Sequence, residues 1–263
     1  MKRIGLITLV LATLAVVPAT AEQWSKTYSI SGTPDLRVET TDANIHVDTW
    51  DQKSIQATIT SSHYKFGRGG LTVEEHQSGD MVDINLHFPH DVQFFNFTSQ
   101  RVDIEIHMPS KGQVNLHTGD GRIEIADFSG EMELSSGDGS QAIHRVGGRL
   151  RASTGDGNIE GDGRFDALEL KTGDGRIDLR AAAGSTLADD WTIRTGDGNV
   201  SVELPENLAA DLHLHTGDGH IDVNLPMTTD GRIRGNDIHG KLNGGGKLMS
   251  IQTGDGSILL RKG

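Results

Sequence analysis

The chain has 263 residues, 34 of them glycine, no cysteine and a formal net charge of −13. Without cysteine there are no disulfides, no thiol catalysis, no Cys-based metal site and no lipid-anchored lipoprotein. The acidic surface repels nucleic acid and anionic headgroups, so nucleic acid is not an expected partner, whereas cations and basic surfaces are favoured.

The first segment reads as an export signal. Lys2 and Arg3 precede an apolar run from Ile4 to Val17, and Ala19-Thr20-Ala21 supplies a small-x-small cleavage site before Glu22. Residues 1–21 are therefore expected to be a signal peptide. The run is short for a bilayer span, which needs about 20 residues. No second stretch is apolar enough to cross, so no transmembrane segment is expected after cleavage. Losing Lys2 and Arg3 moves the charge from −13 to −15. The expected location is periplasmic or secreted.

Residues 22–117 read as irregular β coils. Leu36–Thr40 and Asn44–Asp48 alternate apolar and polar residues, as half-buried strands do, around a turn at Thr41-Asp42-Ala43. Aligned on Thr40, this is a degenerate copy of a unit that recurs later. Ile55–Thr60, Leu71–Glu75, Met81–Phe88 and Val102–Met108 also alternate. Counted along the chain, Asp42 stands close to four repeat lengths before Asp120. The segment from 87 to 100 holds Phe88, Phe94, Phe95 and Phe97, four of the seven phenylalanines. It reads as a loop folded over the core, since aromatics bury themselves, or as an exposed contact site for a partner at Phe94, Phe95 and Phe97.

From 118 to 263 the chain is organised by Thr-Gly-Asp-Gly, with Ser136 replacing Thr once. The central aspartates are Asp120, Asp138, Asp156, Asp174, Asp197, Asp218 and Asp255, with successive steps of 18, 18, 18, 23, 21 and 37. Four residues before each Thr or Ser stand Val114, Met132, Leu150, Leu168, Trp191, Leu212 and Met249. Two before stand Leu116, Leu134, Ala152, Leu170, Ile193, Leu214 and Ile251. Five after stand Ile123, Ile159, Ile177, Val200, Ile221 and Ile258, with Gln141 the exception. Each unit is thus strand, turn, strand, turn with one apolar face, and a lone unit cannot bury that face. Stacking can. The expected fold is all-β: a right-handed parallel β-solenoid of roughly 18–21-residue coils, continuous with the less regular N-terminal part. Eighteen residues at about 3.3 Å each give a contour of roughly 60 Å, enough for a flattened coil.

In this register the Thr hydroxyls form an inward ladder, and Arg151 lies between Glu133 and Glu169. The extra residues between Asp174 and Asp197 fall in a loop at Ala181–Asp190. The step from Asp218 to Asp255 reads as two coils, the middle turn degraded near Gly235-Asn236-Asp237.

The T-G-D-G-x-I-x-V units, the Leu-Pro endings at Leu204-Pro205 and Leu225-Pro226, and the terminal LNGGGKLMSIQTGDGSILL resemble the bacterial adhesin-like family, a β-strand-repeat domain of unknown function. The likeness runs from about residue 36 to the end. It implies an exported right-handed β-solenoid and carries over no catalytic residues.

Stacked turns lie about 4.8 Å apart, so a row of carboxylates must be offset. Each Asp is expected to cap its own turn by accepting backbone N–H bonds, the glycines supplying positive φ. The alternative is calcium held between turns by Asp120, Asp138, Asp156, Asp174, Asp197, Asp218 and Asp255, since hard cations take several oxygens. No other cofactor is expected. A glycan hydrolase or lyase on a β-helix would need a carboxylate pair about 5–10 Å apart. An active site is a singular place, and these carboxylates are uniform, so no catalytic residue is assigned. His213 and His215 are i, i+2 on one strand and are in reach of one metal, though solvated surface histidine is the plainer reading. The expected function is a non-catalytic structural or interaction module whose partner is an envelope protein or glycan.

Overall fold

The computed structural model describes residues 21–89, 101–229 and 235–263. The strands, in chain order, are β1 Glu22–Ser29, β2 Asp35–Thr40, β3 Asn44–Trp50, β4 Ser54–Ser61, β5 Thr72–Ser78, β6 Met81–His87 and β7 Val102–Pro109. Then come β8 Lys111–Thr118, β9 Ile123–Ala126, β10 Ser129–Ser136, β11 Gln141–Ser153, β12 Ile159–Lys171, β13 Ile177–Ala181 and β14 Trp191–Arg194. The chain closes with β15 Val200–Leu204, β16 Ala210–Thr216, β17 Ile221–Asn224, β18 Thr228–Thr229, β19 Asp237–Leu242, β20 Leu248–Thr253 and β21 Ile258–Lys262. Among the described residues there is no helix, hence none long and apolar enough to cross a membrane.

Two long, mainly parallel ladders face each other across one core. The first runs β6, β2, β8, β10, the second half of β11, the second half of β12, β14, β20, β16. The second runs β7, β3, β9, the first half of β11, the first half of β12, β13, β15, β21, β17. Antiparallel strands cover three of the four ladder ends: β5 on β6, β4 and then β1 on β7, and β19 and then β18 on β16.

The register follows the repeat where the repeat is regular. Val114, Met132, Leu150, Leu168 and Trp191 are successive cross-strand partners. The apolar residues four and two before each turn are all buried, and so are those five after it except half-buried Ile221. Ile221 is the exception because β17 ends its ladder. Each buried Leu or Ile contributes roughly 1.5–3 kcal/mol relative to exposure. The insertion expected at Ala181–Asp190 is a loop over 182–190, directly after β13 ends at Ala181. Arg151 sits between Glu133 and Glu169 in the ladder, and its Nε donates to Glu169 Oε2 at 2.9 Å.

At both ends the chain departs from sequential stacking. The β2–β3 coil packs directly on β8–β9, so Thr40 is opposite Thr118 and Asp42 is one step from Asp120, not four. The coil from β6 to β7 lies outside it. At the other end, β20–β21 is inserted between β14–β15 and β16–β17. The Asp255 turn therefore lies between those of Asp197 and Asp218. The expected degraded coil near Asp237 is instead the start of antiparallel β19. A hydrophobic repeat specifies each coil's inward face, and any coil's face fits any other's, so the pattern does not dictate which coils touch. The expected signal peptide lies outside the described residues, apart from Ala21.

Candidate functional site

The repeated turns form one column in the order Asp42, Asp120, Asp138, Asp156, Asp174, Asp197, Asp255, Asp218. A chain of backbone hydrogen bonds runs up their first glycines. Gly137 N–H donates to Gly119, Gly155 to Gly137, Gly173 to Gly155, Gly196 to Gly173, Gly254 to Gly196 and Gly217 to Gly254.

The turns are capped, but not by aspartate. The buried Thr hydroxyl does most of it. Thr172 Oγ1 accepts from the Gly175 N–H at 3.2 Å and donates to the Gly157 carbonyl of the preceding coil at 2.9 Å. Thr118, Thr154, Thr195, Thr253 and Thr216 repeat the arrangement. Two residues after Asp42, Asp138, Asp156, Asp197 and Asp255, a second set of side chains reaches the next coil. Asn44 Oδ1 accepts from Arg122 N–H, Ser140 Oγ from Asn158, Asn158 Oδ1 from Arg176, Asn199 Oδ1 from Ser257 and Ser257 Oγ from His220.

The expectation that each Asp caps its own turn is therefore corrected. Asp120, Asp138, Asp156, Asp174, Asp197, Asp218 and Asp255 are all exposed. Among the described residues their carboxylates enter no side-chain hydrogen bond or ion pair; Thr takes the N–H of the second glycine in six of the turns, and Asn or Ser takes the N–H after that glycine in five. The carboxylates lean along the column instead. Asp138 Oδ1 lies 3.2 Å from where a Cβ on Gly155 would stand, and Asp156 Oδ1 lies 3.4 Å from the same point on Gly173. At the column's N-terminal end, burial and the neighbouring Asp120 charge raise the Asp42 carboxyl above its ordinary range.

The glycines are also needed for a different reason than expected. None of the turn glycines has a φ in the left-handed region. A Cβ on Gly155 would stand 2.6 Å from the Gly137 carbonyl oxygen, and one on Gly157 would overlap the Gly139 carbonyl. Close approach of successive coils is what excludes a side chain.

Ser136 and Gln141, the two departures from the pattern, meet in the same unit. Gln141 Nε2 donates to Ser136 Oγ at 3.0 Å and to the Ser153 carbonyl at 2.7 Å. Ser136 donates within its own turn, to Gly139 O at 2.6 Å. Gln141 Oε1 stays buried without a partner among the described residues.

Three further places have chemical potential. A groove of about 430 Å³ runs along the outer face of the first ladder, lined by Arg37, Glu133, Arg149, Arg151, Glu169 and Asp190 among others. Its mixed charges suit a polar ligand. Phe88 is half-buried and meets Tyr64 edge-on at 5.6 Å. Phe94, Phe95 and Phe97, expected as a cap or contact site, lie outside the described residues. The third place is on β16 and β19. His213, which the sequence singles out, faces His239 across the ladder with the rings stacked at 4.4 Å, and His215 faces Asp237. Burial, and then the nearby His239, pushes the His213 imidazole below the ordinary histidine range, with Asp237 pulling the other way. Asp237 and His239 were missed because 235–237 reads as a failed turn. The alternation Asp237-Ile238-His239, matching His213-Leu214-His215, is the signal that marks them as outward residues of a strand.

The chain is similar to several solved structures over most of its length. A Clostridium sporogenes protein provisionally named a cell adhesion protein is 14% identical, with 93% of this chain and 100% of that one covered at a TM-score of 0.46. A Parabacteroides distasonis protein provisionally named lipid binding is 15% identical, covering 92% and 97% at 0.44. A Parabacteroides merdae protein provisionally named an adhesin is 12% identical, covering 92% and 97% at 0.42. No functionally curated protein matches the chain. Residues 31–261 match the family described as Toastrack DUF4097, which spans nearly every strand of both ladders. The chain belongs to that family.

Proposed function

We propose that the chain is an exported, adhesin-like module that acts without catalysis at the cell envelope, periplasmic or released, and presents its acidic turn column to a protein or glycan partner. The supporting observation is the column of Asp42, Asp120, Asp138, Asp156, Asp174, Asp197, Asp255 and Asp218, outward and evenly repeated, with the seven after Asp42 unpaired among the described residues. A stiff row of equivalent charges is an extended contact surface, whereas catalysis wants one differentiated place. We take the coils to wind right-handedly, the sense that parallel strand crossovers adopt.

Calcium is a second reading. It is favoured by the same carboxylates, of which Asp120, Asp138, Asp156, Asp174 and Asp197 lean toward the next coil, where a cation would find oxygens from two turns. Calorimetry on chelator-treated protein is expected to show saturable heat and a raised melting temperature if this reading holds; neither would appear if the column is only a contact surface.

Removing one coil, residues 154–171, tests the main reading. Ser153 then runs into Thr172 and the remaining coils restack in register. A contact module keeps its β-type circular dichroism and its binding to an immobilised oligolysine surface, weakened in step with the loss of Asp156. A glycan-active enzyme would instead cleave purified envelope glycan in the intact chain and lose that turnover altogether in the shortened one. Measured turnover of that kind overturns the proposal.

A further inference from the structure

The outward face of the β16–β19 pair goes beyond the acidic column. Inward, Leu212, Leu214, Ile238 and Leu242 are buried in the core. Outward, strand alternation leaves His213, His215, Asp237 and His239 on one surface. The antiparallel register puts His213 directly opposite His239 and His215 directly opposite Asp237. His239 Nε2 is 3.1 Å from Asp237 Oδ1, and His215 Nδ1 is 3.6 Å from Asp237 Oδ2. One ligand atom each from His213, Asp237 and His239 lie within 4.8 Å of one another.

The geometry points to a divalent transition-metal site, of the kind zinc occupies, formed by His213, His239 and Asp237. Two imidazoles and a carboxylate are a borderline-soft donor set, which suits zinc and its neighbours and not calcium or magnesium, which take oxygen. A tetrahedral zinc with ligands at about 2.0–2.1 Å holds its donors about 3.3 Å apart. The donors here are within reach of that spacing by side-chain rotation, because the half-exposed rings stand on a fixed strand pair. His215 stands behind Asp237 and either orients its carboxylate or takes the fourth position, the other choice being water.

The location gives the ion a job. β19 is the antiparallel strand laid over β16, the last parallel strand of its ladder. An ion shared by His213 on one strand and Asp237 and His239 on the other clips this covering strand to the stack. The site is separate from the turn column, so it stands or falls independently of the proposed function.

Chelator-treated full-length protein is titrated with Zn²⁺ by calorimetry and followed by thermal melting. One equivalent is expected to bind and to raise the melting temperature with ion concentration. Asp237→Asn, which keeps the shape of the side chain, and His239→Ala are each expected to weaken binding roughly tenfold or more, since even supporting residues at metal sites cost 10–100-fold. His117→Ala, on a distant strand, leaves it unchanged. Cu²⁺ bound to the wild type is expected to show two nitrogen ligands by electron paramagnetic resonance, and fewer after His239→Ala. Should His239→Ala fail to fold, Asp237→Asn carries the test. No saturable Zn²⁺ binding, or equal binding by the wild type and Asp237→Asn with an unchanged copper spectrum in folded His239→Ala, overturns the assignment.

Discussion

In the middle of the molecule, from β8 to β15, neighbours in sequence are neighbours in space. At its two ends they are not. The middle adds one coil at a time, and every Thr finds the carbonyl of the coil before it. At the N-terminal end the second coil in space is the first in the chain. At the C-terminal end the last strands fill a gap left between earlier ones. The contrast separates two kinds of information. The repeat encodes the cross-section of a coil, whereas the order of coils depends on how the irregular segments route the chain.

The contrast predicts very different costs for comparable changes. Truncation after Lys247 removes β20 and β21, nominally one coil. Because that coil joins β14 to β16 and β15 to β17, its loss is expected to undock the last coil and β19 as well. Limited proteolysis should then cut freely from about residue 205 onward. Removing a coil from the middle, as in the 154–171 deletion, should create no such sensitivity. If both deletions are equally resistant, the inserted order of the C-terminal coils is wrong.

The Thr column sharpens the same point. Thr172→Val removes a buried hydroxyl that both accepts and donates, and is expected to cost about 1–3 kcal/mol in denaturant unfolding. Thr40 is equally buried, but its Oγ1 has no partner among the described residues. Thr40→Val is therefore expected to be neutral or stabilising. Equal losses at both positions would show that Thr40 has a partner after all.

Within the middle, the Ser136–Gln141 unit is the irregular one. Ser136→Thr with Gln141→Ile restores the common pattern and removes the orphaned Gln141 Oε1. The pair is expected to gain about 1 kcal/mol in thermal or denaturant unfolding. Gln141→Ile alone should gain less, since Ser136 then loses a donor. The smallest effect belongs to Arg151→Ala. Its pair with Glu169 is exposed and cross-strand, so about 0.2–1 kcal/mol is at stake, and less in high salt.

Much of this was legible beforehand. The inward positions, the Thr ladder, the loop after β13 and the Arg151 register follow from the period of the sequence alone. What the sequence obscured has physical causes. Asp looked like the turn cap because it is the usual side chain for that work, but Thr172 and its equivalents are closer to the orphan N–H groups. The turn glycines looked like positive-φ residues, but their coils simply approach too closely for a Cβ. Asp237 and His239 went unseen because antiparallel pairing across the residues between His215 and Asp237 leaves no trace in a parallel repeat.

The inserted C-terminal coil also bears on how such a chain survives its own synthesis. Ribosomes deliver the N-terminal part first, and until Leu248–Lys262 arrives, the ladder edges of β14 and β15 on one side and β16 and β17 on the other lack their shared neighbour. Open strand edges are templates for pairing with other chains. The partly made molecule is thus at its most adhesive toward copies of itself, and the strands of Leu248–Lys262 close both edges at once. A chain whose edges are closed by strands made this late gains from staying unfolded until they are present.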